Sequence, residues 1–324
     1  MEDALLLALQ LLSATIRVAT PLVLAAFAGM YCERSGVVDI GLEGKMLAGA
    51  FFSAAVASVT LNPWLGLLAG IAAGVVLALV HGFACITHNG NQVVSGMAIN
   101  ILVAGLAPTL AYAWFQQGGQ TPLLPNEARI PAVELPGVEA LSGIPVLGPV
   151  YRELLNGNNV LIWVTLVLVI ATHWVLYRSR FGLRLRAVGE NPAAVDTAGL
   201  SVTRLRYQAL LVTGALTGMA GSYLSTGHGA GFVRDMTAGK GYLALAALIF
   251  GKWRPGPTLF ACLLFAFTDA VQVRLQGVEL PGIGVIPVQF IQMLPYVLTV
   301  LLLAGFVGKA IAPKASGIPY VKER

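Results

Sequence analysis

VLIWVTLVLVIATHWVLY, residues Val160–Tyr177, contains no charged side chain. As a helix it would rise about 27 Å, close to the ~30 Å hydrocarbon core of a bilayer. Only helices and closed barrels satisfy the backbone in lipid. The apolar residues here are continuous rather than alternating, which selects the helix. Comparable runs recur along the chain, at roughly 11–31, 44–60, 63–86, 92–115, 206–226, 241–251, 257–273 and 287–308. The run at 241–251 is too short to cross alone and is either a half-helix or one extended by polar flanks. Hydrophobic residues make up 57% of the 324 and charged residues 11%, where a soluble domain carries about 25% charge. The fold class is therefore all-α integral membrane, with about 8–10 transmembrane helices in a single transmembrane domain. The 37 glycines and 17 prolines fit close helix packing in lipid.

Loop charge orients the spans. Arg178, Arg180, Arg184, Arg186, Arg204 and Arg206 face only Glu190 and Asp196 in the 178–206 loop, which places it in the cytoplasm. The 116–159 connection carries Arg129 and Arg152 against Glu127, Glu134, Glu139 and Glu153 and belongs outside. The basic tail 309–324 falls inside, and nine crossings put the N-terminus outside. Met1-Glu2-Asp3 lacks the basic start of a cleavable signal, so the first span is expected to remain as an anchor.

Paired landmarks hint at duplication. Gly29-Met30 and Gly218-Met219, Gly44-Lys45 and Gly239-Lys240, Pro63 and Pro255, and Gln92 and Gln289 share a near-constant offset. With the topology above, 11–115 and 206–308 become inverted repeats joined by a linker helix at 160–177. Such pairs place a substrate path at their interface, near the midplane.

No G-x-x-x-x-G-K-[ST] motif occurs: the four Gly-Lys pairs are followed by Met46, Gly241, Trp253 and Ala310. Nucleotide binding by that route is excluded. There is no nucleophile elbow, and Cys32, Cys85, Cys262 and the four histidines show no metal spacing. The chain is read as a non-enzyme with no cofactor or metal of its own.

Within the arginine-rich loop, Gly189-Glu190-Asn191-Pro192-Ala193-Ala194-Val195-Asp196-Thr197-Ala198-Gly199 reads as a short punctuated helix. Asn191 caps it, Pro192 suits its first position, and Gly199 takes the left-handed exit. A face of Ala193, Ala194, Thr197 and Ala198 has little to anchor in lipid and suits a protein groove.

This stretch, followed by Leu200-Ser201-Val202, resembles the coupling loop of ATP-binding-cassette (ABC) importer permeases of the ribose, nucleoside and branched-chain amino acid class. Glu33-Arg34-Ser35-Gly36-Val37-Val38-Asp39-Ile40-Gly41-Leu42-Glu43-Gly44 and Asn91-Gln92-Val93-Val94-Ser95-Gly96 are closer still to bacterial nucleoside and simple-sugar permeases. Members often carry Asn where this chain has Asp39. The resemblance covers nearly the whole chain and implies a type II-like permease in the bacterial cell membrane, forming half of a path for a small polar solute. Nucleosides lead, followed by simple sugars and branched-chain amino acids. The implied partners are a cytoplasmic ATPase that holds ATP and Mg, a second permease that is a different but related chain, and an extracytoplasmic substrate-binding lipoprotein. No nucleic acid is expected.

Polar residues within the spans are candidates for the path. They are Glu33, Asp39 and Glu43; Gln92, Ser95 and Asn100; Asp269 and Gln272, with Gln276 at helical spacing; and Gln289 with Gln292. Internal ion pairs and interhelical hydrogen bonds explain the same residues, and the sequence leaves both readings open. Arg17 is expected to snorkel toward the outer interface. An ion-coupled secondary transporter is the rival class, with Asp269 as its one midplane carboxylate, but it gives the docking helix no role.

Overall fold

Asparagines fix where several helices begin. Asn62 accepts from the backbone amides of Trp64 and Leu65, Asn91 from Val93 and Val94, Asn159 from Leu161, and Asn191 from Ala194. Each satisfies amides that an opening helix turn leaves free. The computed structural model describes residues 2–136, 147–275, 279–280, 284–285, 288–293, 297, 300–301 and 310–322. Its main helices are α1 (Glu2–Arg34), α2 (Leu42–Thr60), α3 (Pro63–Gly82), α4 (Gln92–Phe115), α5 (Val160–Arg178), α6 (Arg180–Glu190), α7 (Pro192–Thr197), α8 (Val202–Ser222), α9 (Lys240–Phe250) and α10 (Pro255–Leu275). α3 and α8 each run on into a π-helical turn, Phe83–Thr87 and Tyr223–His228. Strand among the described residues is limited to two-residue pairs, Ala132–Val133 with Asn158–Asn159 and Glu279–Leu280 with Gly284–Val285.

Among the described residues, six helices are long and apolar enough to cross a membrane: α1 from Leu5, α2, α3 with its extension, α4, α5 and α10. α8 is equally long at 21 residues but opens with Arg204 and Arg206. The run at 241–251 resolves into α9, an eleven-residue helix. Of the expected ninth span only Val288–Gln292 is a described helix, and most of 287–308 lies outside the described residues. So do Glu139 of the long connection and the side chains of Gln276 and Gln292.

The core forms where helices from both ends of the sequence meet. α1 packs on α8, α9 and α10, while α2 is held between α3 and α8. Small residues permit the α2–α3–α8 contact. A methyl group on Gly49 would lie 2.8 Å from Gly218 Cα, and one on Gly214 would lie 2.6 Å from Val75 Cα. Backbones that approach so closely gain dispersion and weak hydrogen bonds that larger residues would prevent. α1 and α2 are mostly enclosed, whereas α3, α4 and α5 turn most of their surface outward. That outer surface is apolar, with Trp64, Leu68, Val76, Ile101, Leu102 and Val167 exposed.

The two long connections meet the C-terminal half of α1 at its two ends, near Arg17 and near Arg34. Arg17 donates to Asn158 across 3.4 Å, and the Tyr223 hydroxyl donates to the Arg17 carbonyl. At the other end, Arg34 donates to the Trp253 carbonyl at 2.7 Å, and Gly189 packs against the Arg34 backbone. Arg17 thus sits at the end shared with the 116–159 connection, and α6–α7 sit at the other.

Candidate functional site

Helices α2 and α9 both start inside the protein, and their N-termini meet. Glu43, in the first turn of α2, accepts from the backbone amides of Gly239 and Gly241 at 2.8 and 2.6 Å. Gly239 precedes α9 at φ 77° and provides no side-chain cap, so a carboxylate distant in sequence fills that role. Its charge lies at the positive ends of two helices, where an anion is favoured.

Asn100 of α4 completes the junction. Its carbonyl oxygen accepts from Gly44 at 2.8 Å, and its amide donates to the Ile40 carbonyl at 3.0 Å and to the Tyr242 hydroxyl at 2.8 Å. Both amide hydrogens are then used, and Tyr242 keeps its own hydroxyl hydrogen to donate. A cavity of about 340 Å³ opens here. Glu43, Asn100, Asp235, Thr237 and Tyr242 provide its polar wall, and Leu47, Met97, Ile101 and Ala104 its apolar one. Such a wall holds a neutral polar solute by several hydrogen bonds rather than by one strong charge.

Behind the cavity, the non-helical turn between α1 and α2 contains a charged pair. Asp39 and Lys45 are fully buried and joined directly. The Asp39 carboxylate also accepts from the Gly41 amide at 3.0 Å and lies 4.0 Å from His81 Nε2. Burial opposes the Asp39 charge, but the Lys45 ammonium and His81 outweigh it and hold the carboxyl below its usual range. The other His81 nitrogen meets the Ser95 hydroxyl at 3.0 Å. Gln92 accepts from the Val38 amide at 2.6 Å, and its own amide nitrogen has no partner. Glu33 accepts from the Trp253 indole.

The sequence candidates therefore separate. Glu43 and Asn100 line the cavity. Glu33, Asp39, Gln92 and Ser95 are engaged in hydrogen bonds behind it, the internal pairing that was one of the two open readings. Asp269 and Gln272 lie on α10 and Gln289 on the short Val288–Gln292 helix, none of them on this cavity. Tyr242, Thr237 and the buried His81 were not singled out by their sequence context. Tyr242 follows Gly239-Lys240 by two residues, and the repeat match was the signal that could have found it.

A second polar hollow, about 440 Å³, opens at the Arg17 end among Arg129, Asn159, Tyr223 and His228. Burial, with Arg17, Lys240 and Arg129 nearby, holds the His228 imidazole below its ordinary value.

At the opposite end, α7 has the capped form its sequence predicts. Asn191 accepts from the Ala194 amide at 3.1 Å, Pro192 opens the helix, and Gly199 exits at φ 78°. Gly189 and Glu190 belong to the preceding helix α6 rather than to α7. Only Val195 of α7 is buried, while Ala193, Ala194, Thr197 and Ala198 are exposed.

Comparison with known proteins agrees with this architecture. A family model described as branched-chain amino acid transport system / permease component matches residues 11–311. The chain is 38% identical over 320 residues to the guanosine ABC transporter permease protein NupQ of Bacillus subtilis, covering 95% of each. It is 37% identical over 313 residues to the nucleoside ABC transporter permease protein NupC of Lactococcus lactis, covering 94% of each. It is also 37% identical over 271 residues to the putative glucose ABC transporter permease protein TsgC13 of Haloferax volcanii, covering 83% of this chain and 79% of that one.

Proposed function

We propose, since this chain belongs to the branched-chain amino acid transport system permease-component family, that it forms one half of an ABC importer passing nucleosides. Solute moves through the cavity at the α2–α9 junction. ATP and Mg are held by a separate cytoplasmic ATPase that docks on α7. A second permease, related but different, completes the path, and an extracytoplasmic binding lipoprotein delivers the solute. The observation that carries this reading is the Asn100–Tyr242 pair on the cavity wall, a hydroxyl held ready beside apolar side chains. A nucleoside presents both hydroxyls and a flat base to such a wall. The names of NupQ and NupC favour nucleosides, and TsgC13 keeps a simple sugar as the second reading.

The opposed starts of α2 and α9 support an inverted repeat of 11–115 and 206–308 around α5, with the whole chain acting as one permease domain. Charge in the loops supports an external N-terminus and a cytoplasmic C-terminus.

Two predictions test this reading. In proteoliposomes with partner subunits, unlabelled nucleoside should compete with labelled guanosine for uptake, and Tyr242→Phe and Asn100→Leu should lower that uptake about tenfold. A lost hydrogen bond contributes about 0.5–1.5 kcal/mol, and 1.4 kcal/mol is a factor of ten. Uptake of labelled glucose with none of labelled guanosine would move the assignment to sugars. Unchanged uptake in both variants would make the pair a packing feature.

Orientation is checked by cysteine labelling, because Cys32, Cys85 and Cys262 are all buried. In intact cells an impermeant thiol reagent should modify Leu123→Cys, at a position 86% exposed, and leave Ser201→Cys unmodified. The reverse pattern would invert the topology.

A further inference from the structure

Residues 310–322 return to the end of the molecule that holds α6 and α7, and they touch both halves of the chain there. The Ala315 amide donates to the Gly189 carbonyl at 2.8 Å, just before α7 begins. The Gly317 amide donates to the Gly36 carbonyl at 3.1 Å, in the turn between α1 and α2. Gly36 has φ 84°, and a side chain there would lie 3.0 Å from the Ala315 carbonyl oxygen. Arg206, only 1% exposed, ties the layers together. Its Nε donates to the Ser35 carbonyl at 3.2 Å and its Nη2 to the Ile318 carbonyl at 3.3 Å. Tyr320 packs on the cluster of Val188, Val195, Val202 and Leu205 that underlies α7. Lys322 pairs with Asp196 of α7 at 3.3 Å.

We infer that the C-terminal segment is a strap that transmits movement of α7 to the α1–α2 turn, with Arg206 as the residue that positions it. This rests on the reading of α7 as the ATPase docking helix. The face of α7 opposite its exposed alanines is seated partly on tail residues. A push on α7 therefore reaches Gly189, the strap and Gly36 together. The Gly36 turn leads directly into Asp39, Glu43 and the start of α2 beside the cavity. A tail that only ended the chain would need no buried guanidinium and no backbone bond to each of two distant turns. Planar, forked donors such as guanidinium bind two carbonyls at once, which a single ammonium does less well.

The test is uptake per ATP hydrolysed, measured in proteoliposomes with the whole importer. The double variant Tyr320→Ala, Lys322→Glu alters only the tail. It should retain the ATPase and its hydrolysis while uptake per ATP falls at least fivefold. Arg206→Met should behave alike, with partial recovery in Arg206→Lys. An unchanged ratio in the tail variant would overturn the proposal, whether or not Arg206→Met folds. So would loss of the ATPase, which would make the strap part of the docking surface rather than a transmitter. Ala194→Glu, measured in parallel, separates the two claims. If it leaves assembly and coupling intact, the docking reading fails. If it disrupts them while the tail variant does not, the strap alone fails.

Discussion

Ala194→Glu is expected to abolish co-purification with the ATPase, or to leave ATP hydrolysis running without uptake, while insertion into the membrane is unchanged. Ala194 is exposed on a helix whose outward residues are all small. A groove shaped for alanine has little room for a carboxylate, and burying an unpaired charge costs several kcal/mol. At 1.4 kcal/mol per factor of ten, docking should weaken more than a hundredfold. Ala194 is exposed and belongs to none of the buried clusters among the described residues, so a larger side chain there leaves the fold intact. Wild-type uptake with the ATPase still attached would remove the coupling role from α7.

The second large effect concerns Asp39. Asp39→Ala should destabilise the protein by about 3–5 kcal/mol, because it strands the Lys45 ammonium in a dry interior. Replacing both partners, as Asp39→Leu with Lys45→Met, should recover much of that loss, since an apolar pair of similar volume is often neutral to stability. Thermal unfolding in detergent measures both. The comparison also decides what Asp39 is for. Normal uptake by the stable double variant would identify the pair as a brace for the α1–α2 turn. A stable double variant without uptake would return Asp39 to the path.

How far the sequence could be read depended on whether the deciding contacts were local. Runs such as 92–115 match their helices end to end because apolar length alone defines them. α7 was legible because its cap, its proline and its exit glycine lie within nine residues. α6 was not identified by the search for apolar runs. It is a charged helix that buries only Gly182, Leu185, Val188 and Gly189, a stripe of period three to four that a run-based reading passes over. Glu43 was found as an intramembrane carboxylate, but its partners are amides almost two hundred residues further on. Nothing near Glu43 reports that it caps α9. Gly66, Gly70 and Gly74, with Gly214 and Gly218, carry the small-xxx-small spacing of close helix contacts. That spacing was present in the sequence from the start, and it marks the close α3–α8 contact.

That contact has a mechanical consequence. Where Gly49, Gly74, Gly214 and Gly218 bring backbone against backbone, no flexible side chain remains to absorb sliding, and packed interiors resist continuous deformation. The α2–α3–α8 triplet should therefore behave as a stator during the transport cycle, keeping one geometry in every state. Alternation between open and closed forms then falls to the helices that turn most of their surface outward and pack least on the core, α4 and α5. The α2 end of the α2–α9 junction is built on this stator, so the gate is set by what moves past Glu43, Asn100 of α4 included, rather than by motion of α2 itself.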